Sequence, residues 1–207
     1  MKEQIESLFQ WPNEKPNVNR DSHNWFGAEN LHILKLAINT LNPKYILEMG
    51  SWTGAGSTNF IASSAPNAHI VCIDHWSKNL NDYVQEEFGI EQVKELEPQI
   101  SVLWETFLVN MWDHRHHLTP LRAKTTEGLE ILGKMDIPFD LIYIDAHHDY
   151  DSVLHDIKIT HKLWPKATIV GDDYTWVTVR NAVHDYANEN NLNVLINGNC
   201  WYYQNKN

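Results

Sequence analysis

Basic residues, cysteines and long apolar runs are all scarce in this 207-residue sequence. The two cysteines, Cys72 and Cys200, each lie in an apolar, strand-like run, so we interpret them as small buried residues rather than as a disulfide pair. That usage fits a reducing compartment. No apolar run approaches the length of a membrane span, and the N-terminal residues lack the apolar core of a signal peptide. We therefore expect a cytoplasmic protein without a membrane partner.

Positive charge is in deficit, because 16 Lys and Arg face 27 Asp and Glu, giving a formal net charge of −11. An acidic surface is a poor match for the phosphate backbone of a nucleic acid and for an anionic membrane, so neither is an expected partner. No internal repeat or low-complexity segment is visible, and the length suits one α/β domain with a substantial core.

The sequence does contain a predicted strand, glycine-rich turn and helix at residues 45–64. Residues 45–47 form a short apolar run, Glu48 ends it, and three glycines follow by position 56. Small residues let the backbone turn sharply and come close to a ligand. The spacing is not the dinucleotide fingerprint, and Glu48 would repel a phosphate. The turn therefore suits a ligand with a cationic amino-acid end.

This E-x-G-x-x-x-G-x-G pattern resembles motif I of the class I S-adenosylmethionine-dependent methyltransferases; a glycine-rich turn of some other α/β protein is the alternative. The resemblance implies that the turn and the following helix bind S-adenosylmethionine. The cofactor-binding residues that it implies in this stretch are Glu48, Gly50, Ser51, Thr53, Gly54 and Ser57.

A second predicted strand, residues 69–73, ends in Asp74, where α/β folds bind ribose hydroxyls. We predict that Asp74 binds the ribose with His75 beside it, and that Trp76 flanks the adenine. The alternative is that Asp74 only caps the next turn.

Thr125 and Thr126 precede a predicted helix at residues 127–132, and one of them should cap it. In the methyltransferases that the chain resembles, this turn lies beside the adenine. Both threonines are therefore further cofactor candidates.

Three acidic residues follow two predicted strands that a helix connects. Asp145 ends the apolar run 139–144, and Asp172 and Asp173 follow the strand at residues 168–170. A β-α-β crossover makes such strands parallel neighbours, so the three carboxylates should meet at one edge, next to the cofactor. Carboxylates repel unless a cation lies between them, which predicts a Mg²⁺ or similar site at Asp145, Asp172 and Asp173. The alternative is that one of the acid pair caps the next helix while Asp145 only contacts the cofactor.

The D-x-x-H-x-Y motif at residues 145–150, with the later acid pair, resembles the metal-dependent O-methyltransferases that tailor macrolide sugars and the related cephalosporin-hydroxylase-like proteins. This resemblance implies that the three acids hold the metal, that His148 is the catalytic base, and that the acceptor is a hydroxyl of a sugar or glycosylated small molecule. Ala146-His147 departs from the family pattern, so His147 stays open as the base. Two alternatives are a methyltransferase that acts on a catechol-like or other small acceptor, and a cofactor-binding protein without transfer activity.

The whole chain is expected to form one methyltransferase domain. Residues 1–26 form an extension in which Trp25 and Phe26 either close over the substrate or, as we favour, pack the extension onto the core. Residues 27–207 form a Rossmann-like α/β three-layer sandwich, whose mostly parallel seven-stranded sheet ends in an antiparallel hairpin strand. Residues 78–116 are the least informative segment; we predict two helices there, at residues 83–96 and 100–112, which cover the sheet or join a partner subunit in a homo-oligomer. The histidines at 114, 116 and 117 suggest a metal, but 114 and 116 do not share a helix face and no cysteine lies near, so we do not predict a zinc site there.

Overall fold

The computed structural model describes residues 2–22, 25–79 and 96–205, and it confirms the Rossmann-like α/β architecture. Seven strands form one sheet in the order β3-β2-β1-β4-β5-β7-β6. The first five are parallel and the last two form an antiparallel hairpin beside β5. The strands are β1 (Tyr45–Met49), β2 (His69–Asp74), β3 (Leu118–Arg122), β4 (Leu141–Ile144), β5 (Thr168–Gly171), β6 (Leu192–Asn197) and β7 (Cys200–Asn205).

Helices cover both faces of the sheet, because successive strand residues point to opposite sides. Leu47 and Val71 pack in one apolar cluster with the helices at residues 125–132, 150–163 and 177–189. Ile46 and Ile70 pack in the other cluster with the helices at residues 28–41, 57–64 and 103–110. The helices are α1 (Lys2–Glu6), α2 (Ala28–Leu41), α3 (Ser57–Ser64), α4 (Glu97–Ile100), α5 (Leu103–Asn110), α6 (Thr125–Leu132), α7 (Tyr150–Leu163) and α8 (Val177–Glu189). None of the helices in the described part of the chain is long and apolar enough to cross a membrane.

The crossover through α7 brings two acidic strand ends together, as the sequence predicts. Ile144 is in register with Gly171, and the backbone N–H of Asp172 donates to the carbonyl of Ile144 (3.0 Å). The residue after β4, Asp145, therefore adjoins the residue after β5, Asp172.

Three local predictions were wrong. Lys124, not a threonine, is the N-cap of α6, and it makes no side-chain capping hydrogen bond. The helix expected at residues 100–112 is shorter, because α5 begins at Leu103 and ends at Asn110, and a 3₁₀ turn follows at Trp112–His114. Strand β4 begins at Leu141 rather than at residue 139. The helix predicted at residues 83–96 lies almost wholly outside the described residues.

Candidate active site

A cavity of about 310 Å³ lies at the carboxyl ends of β1, β2, β4 and β5. Open α/β sheets bind their ligands at this edge. Its lining includes eight of the predicted cofactor residues: Gly50, Ser51, Thr53, Ser57, Asp74, His75, Thr125 and Asp145. The same cavity is lined by Asp172, Asp173, His147 and His148, so it brings the two predicted constellations into one site.

The glycine-rich turn is held by the side chain of Asp74. Its Oδ2 accepts hydrogen bonds from the backbone N–H groups of Ser51 (3.0 Å) and Trp52 (2.9 Å), and its Oδ1 accepts one from Trp76 (2.9 Å). A carboxylate has about four acceptor positions, so these bonds leave capacity for ribose hydroxyls. Asp74 thus anchors the turn and faces the cavity at once.

Two glycines of the turn, Gly50 and Gly54, have positive φ angles and no room for a side chain, because other protein atoms lie against them. Gly50 has φ +83°, and a Cβ there would overlap the backbone carbonyl of Asp145. Gly54 has φ +76°, and a Cβ there would lie 3.0 Å from side-chain atoms of Phe107 and Met111. Gly54 consequently packs against α5 and does not line the cavity.

Glu48 lies buried beneath the turn. Its Oε2 accepts hydrogen bonds from the hydroxyls of Ser51 (2.7 Å) and Thr58 (2.6 Å), while its Oε1 has no hydrogen-bond partner among the residues that the structure describes. Burial raises the pKa of Glu48, and the hydroxyl donors oppose that rise. A buried acceptor without a partner is costly, so Oε1 is a position where a ligand donor would be favourable.

Two other predicted cofactor residues lie elsewhere. Trp76 was expected to flank the adenine, but its side chain is fully buried and does not line the cavity. Its ring packs 4.4 Å from that of Phe107, and its Nε1 donates to the carbonyl of Trp52 (2.7 Å). Trp76 therefore supports the turn from the core. Thr126 is exposed and faces a separate groove between α6 and α7.

The side chains of Asp145, His148 and Asp173 form a cluster with metal-ligand geometry, since one ligand atom from each lies within 4.8 Å of the others. His148 Nε2 lies 2.7 Å from Asp173 Oδ2, and the His148 ring stacks on Trp176 at a centroid distance of 5.2 Å. Within the described residues, this is the one cluster of this kind.

Asp172, the third predicted ligand, is instead saturated by protein donors. Its Oδ2 accepts from Asn30 Nδ2 and from the Tyr143 hydroxyl (3.0 Å). Its Oδ1 accepts from the backbone N–H of Asp173 (2.7 Å) and from Asn199 Nδ2 (3.0 Å). The structure therefore places His148, and not Asp172, as the third member of the cluster.

Negative charge is concentrated at this point of the cavity. Burial and the nearby carboxylates of Asp172 and Asp173 raise the pKa of Asp145 well above its usual value. Burial and the Asp173 carboxylate raise the pKa of Asp172 to about 6. A divalent cation would relieve this repulsion, because it favours the ionised form of every carboxylate around it.

Several residues of the site carry no recognisable sequence signal. Asn30 and Asn199 bind Asp172 from positions 142 and 27 residues away. Trp52 and Trp176 line the cavity beside the motifs.

Trp25 and Phe26 line the cavity too, so the extension reaches the site rather than only packing on the core, although Phe26 also contacts Phe60 (5.7 Å between centroids).

A family model described as a methyltransferase domain matches residues 47–174, which is more than half of the chain. The protein therefore belongs to this methyltransferase family. The match covers the glycine-rich turn, Asp74 and all members of the acidic cluster. Comparison with curated proteins gave no match.

Solved structures with the same fold include several methyltransferases. Cofactor-bound Rv0187 from MTB superposes with a TM-score of 0.58 at 17% identity, over 100% of this chain and 88% of that one. A putative O-methyltransferase from Klebsiella pneumoniae gives 0.57 at 20% identity, over 90% and 84%. The O-methyltransferase from Bacillus cereus in complex with SAH gives 0.57 at 16% identity, over 99% and 91%.

Proposed function

We propose that this methyltransferase transfers the methyl group of S-adenosylmethionine to a hydroxyl of a sugar or glycosylated small molecule, assisted by a divalent cation. The observation that carries the proposal is the cluster of Asp145, His148 and Asp173, which opens into the same cavity as the glycine-rich turn and Asp74.

The residues present fit S-adenosylmethionine. The turn and the N-terminus of α3 form one wall of the cavity, Asp74 offers acceptors for ribose hydroxyls, and Thr125 lies further along the lining. Glu48 does not line the cavity, but its Oε1 is a buried acceptor beneath the turn, and a cationic amino group that reached it would be stabilised. The similar Bacillus cereus enzyme was solved with SAH, which supports the same cofactor here.

The donor set also fits a divalent cation. Two carboxylates and an imidazole suit Mn²⁺ or Mg²⁺, with cavity water completing the coordination. Asp145, Asp173 and His148 would hold the ion, with Asp172 fixing the backbone behind them. When bound, such an ion supplies Lewis-acid stabilisation of an acceptor oxygen.

His148 is proposed to take the proton of the acceptor hydroxyl in the case where it does not bind the ion, because an imidazole nitrogen that is bound to a metal cannot also accept a proton. Imidazole exchanges protons near neutral pH, and the Asp173 carboxylate at 2.7 Å would stabilise the imidazolium that forms. Stacking on Trp176 fixes the plane of the ring. His147 lines the same cavity and is the competing base.

The charge of the lining favours a neutral acceptor. No Lys or Arg is among the described residues that line the cavity, whereas four carboxylates are. A phosphorylated or coenzyme A-linked acceptor would meet repulsion, while a sugar or another neutral diol would not. The aromatic walls, Trp25, Trp52 and Trp176, also suit a catechol-like acceptor, which remains the second candidate.

Methyl transfer can be measured as formation of S-adenosylhomocysteine with panels of glycosides, catechols and phosphorylated diols. We expect turnover with neutral diols, its loss in EDTA and its recovery with Mg²⁺ or Mn²⁺. Calorimetric binding of S-adenosylhomocysteine without turnover on any acceptor would favour a binding protein. Full turnover in chelator would remove the cation from the proposal.

A further inference from the structure

One residue of the C-terminal hairpin, Asn199, holds the loop that carries Asp173. Its Nδ2 donates to Asp172 Oδ1 (3.0 Å) and to Asp173 Oδ1 (3.2 Å). Its Oδ1 accepts from the backbone N–H of Thr175 (3.0 Å) and from the Thr175 hydroxyl (2.7 Å). Its backbone carbonyl accepts from the N–H of Tyr174 (2.9 Å). A single asparagine therefore contacts every residue from 172 to 175.

The loop needs such support, because Asp173 is not in a relaxed conformation. Its φ is +60°, a left-handed value that is unfavourable for most residues with a side chain. Its carboxylate also lies close to Asp145, since a ligand atom of each is within 4.8 Å of the other. Asn199 and His148 hold the two oxygens of Asp173 separately, one on Oδ1 and the other on Oδ2.

The hairpin that carries Asn199 is itself fixed to the end of β5. Trp201 Nε1 donates to the carbonyl of Asp172 (2.9 Å), and the Trp201 ring fills the space that a side chain at Gly171 would occupy. The Asn199 side chain thus has a fixed base from which to orient the loop.

We propose that Asn199 is a positioning residue that sets the carboxylate of Asp173 for cation binding, so that the C-terminal hairpin determines cation affinity. The inference rests on the proposed function, since it assumes a cation at Asp145, His148 and Asp173. Without the Asn199 amide, the Asp173 carboxylate would lose its donor at Oδ1 and could turn away from Asp145. Residues that orient metal ligands typically change metal affinity by about 10–100-fold when they are removed.

The test is Mn²⁺ binding, followed by electron paramagnetic resonance or calorimetry, in the full-length wild type, Asn199→Ala and the control Asn197→Ala. Asn197 is exposed, pairs with Cys200 in the same hairpin and makes no contact with the loop in the hydrogen bonds described. We expect Asn199→Ala to raise the Kd for Mn²⁺ by about 10–100-fold while the Kd for S-adenosylhomocysteine stays within about twofold. Asn197→Ala should match the wild type in both.

A second variant tests the same inference if Asn199→Ala does not fold. Thr175→Val removes one anchor of the Asn199 amide without touching a proposed ligand, and it should raise the Mn²⁺ Kd by a few-fold in the same direction. Mn²⁺ affinity equal to wild type in the folded variants would overturn the inference alone. A wild type that binds no Mn²⁺ would overturn the proposed cation and the inference together.

Discussion

Gly50 and Asp145 meet so closely that the carbonyl oxygen of Asp145 occupies the space where a Cβ of Gly50 would lie. The glycine of the cofactor turn is thereby packed on the strand end that carries the acidic cluster. The proposed cofactor site and the proposed cation site therefore share this contact.

Replacing Gly50 should therefore damage both halves of the site. Gly50→Ala forces an alanine to φ +83° and pushes Asp145 away, which should cost at least about 2 kcal/mol of unfolding free energy and weaken S-adenosylhomocysteine binding more than tenfold. Gly27→Ala is the matched control, because Gly27 has φ −81° and open space around its Cβ position. Thermal unfolding and calorimetry measure both effects. Wild-type behaviour of Gly50→Ala would mean that the contact is not required.

The two adjacent acids should respond differently to removal of their charge. The Asp172 carboxylate accepts four hydrogen bonds, whereas the amide in Asp172→Asn has only one acceptor oxygen. Buried donors therefore lose their partners, and the unfolding free energy should fall by about 1–3 kcal/mol. Asp173→Asn relieves repulsion, so it should keep or raise the melting temperature while Mn²⁺ affinity drops. Differential scanning calorimetry with and without Mn²⁺ compares them. Loss of Mn²⁺ binding in a fully stable Asp172→Asn would restore Asp172 as a ligand.

Replacing each of the two histidines of the D-x-x-H turn should have different effects on kcat. His148→Ala should lower kcat by about 10²–10⁴-fold, the usual effect of losing a general base, whereas His147→Ala should do much less. The Kd for Mn²⁺ tells what His148 does, because a pure base leaves it unchanged and a ligand raises it. The reverse ranking of the two variants would move the base to His147.

The sequence was sufficient to predict the fold and the meeting of the two motifs. The strand-turn-helix pattern and the crossover from Asp145 to Asp172 are local in sequence, and chain handedness makes them neighbours. The use of each side chain was less predictable. Asn30, 142 residues away in sequence, donates a hydrogen bond to Asp172. Trp76 packs in the core with φ +38°, a value that nothing in the sequence predicts for a tryptophan.

His69 should make the fold sensitive to acid. Burial lowers the pKa of His69 to about 4, opposed by Glu6 and reinforced by Lys2 and His117. The unfolded chain therefore binds more protons than the folded one between about pH 6.5 and 4, so stability due to this residue falls by roughly 2 kcal/mol as pH drops through that range.

The raised pKa values of Asp145 and Asp172 act in the opposite direction, so the effect of His69 must be measured as a difference. Unfolding free energies of the wild type and His69→Gln, taken from pH 7 to 4, isolate it, since glutamine keeps a polar group near Thr119. His32→Gln, at an exposed position, is the control and should follow the wild type. Parallel curves for His69→Gln and the wild type would exclude His69 as the source.

Trp25 should contribute to acceptor binding rather than to the fold. Its side chain is 54% exposed, lines the cavity, and lies 5.4 Å from the ring of Trp52 between centroids. The segment before it is tied to the cofactor turn, because Asn110 Nδ2 donates both to the carbonyl of Asp21 and to that of Thr53 (2.8 Å each). This link holds Asp21 beside the glycine-rich turn.

Trp25→Ala should consequently raise the KM for the acceptor about tenfold, with the melting temperature and the Kd for S-adenosylhomocysteine almost unchanged. Leu36→Ala removes a similarly exposed apolar side chain, at 55%, that does not line the cavity, and it should leave all three quantities unchanged. A fall in melting temperature without a change in KM would show that Trp25 packs the extension onto the core. An increase in KM alone would show that the extension forms part of the acceptor site, because only contact with the acceptor links this exposed ring to KM.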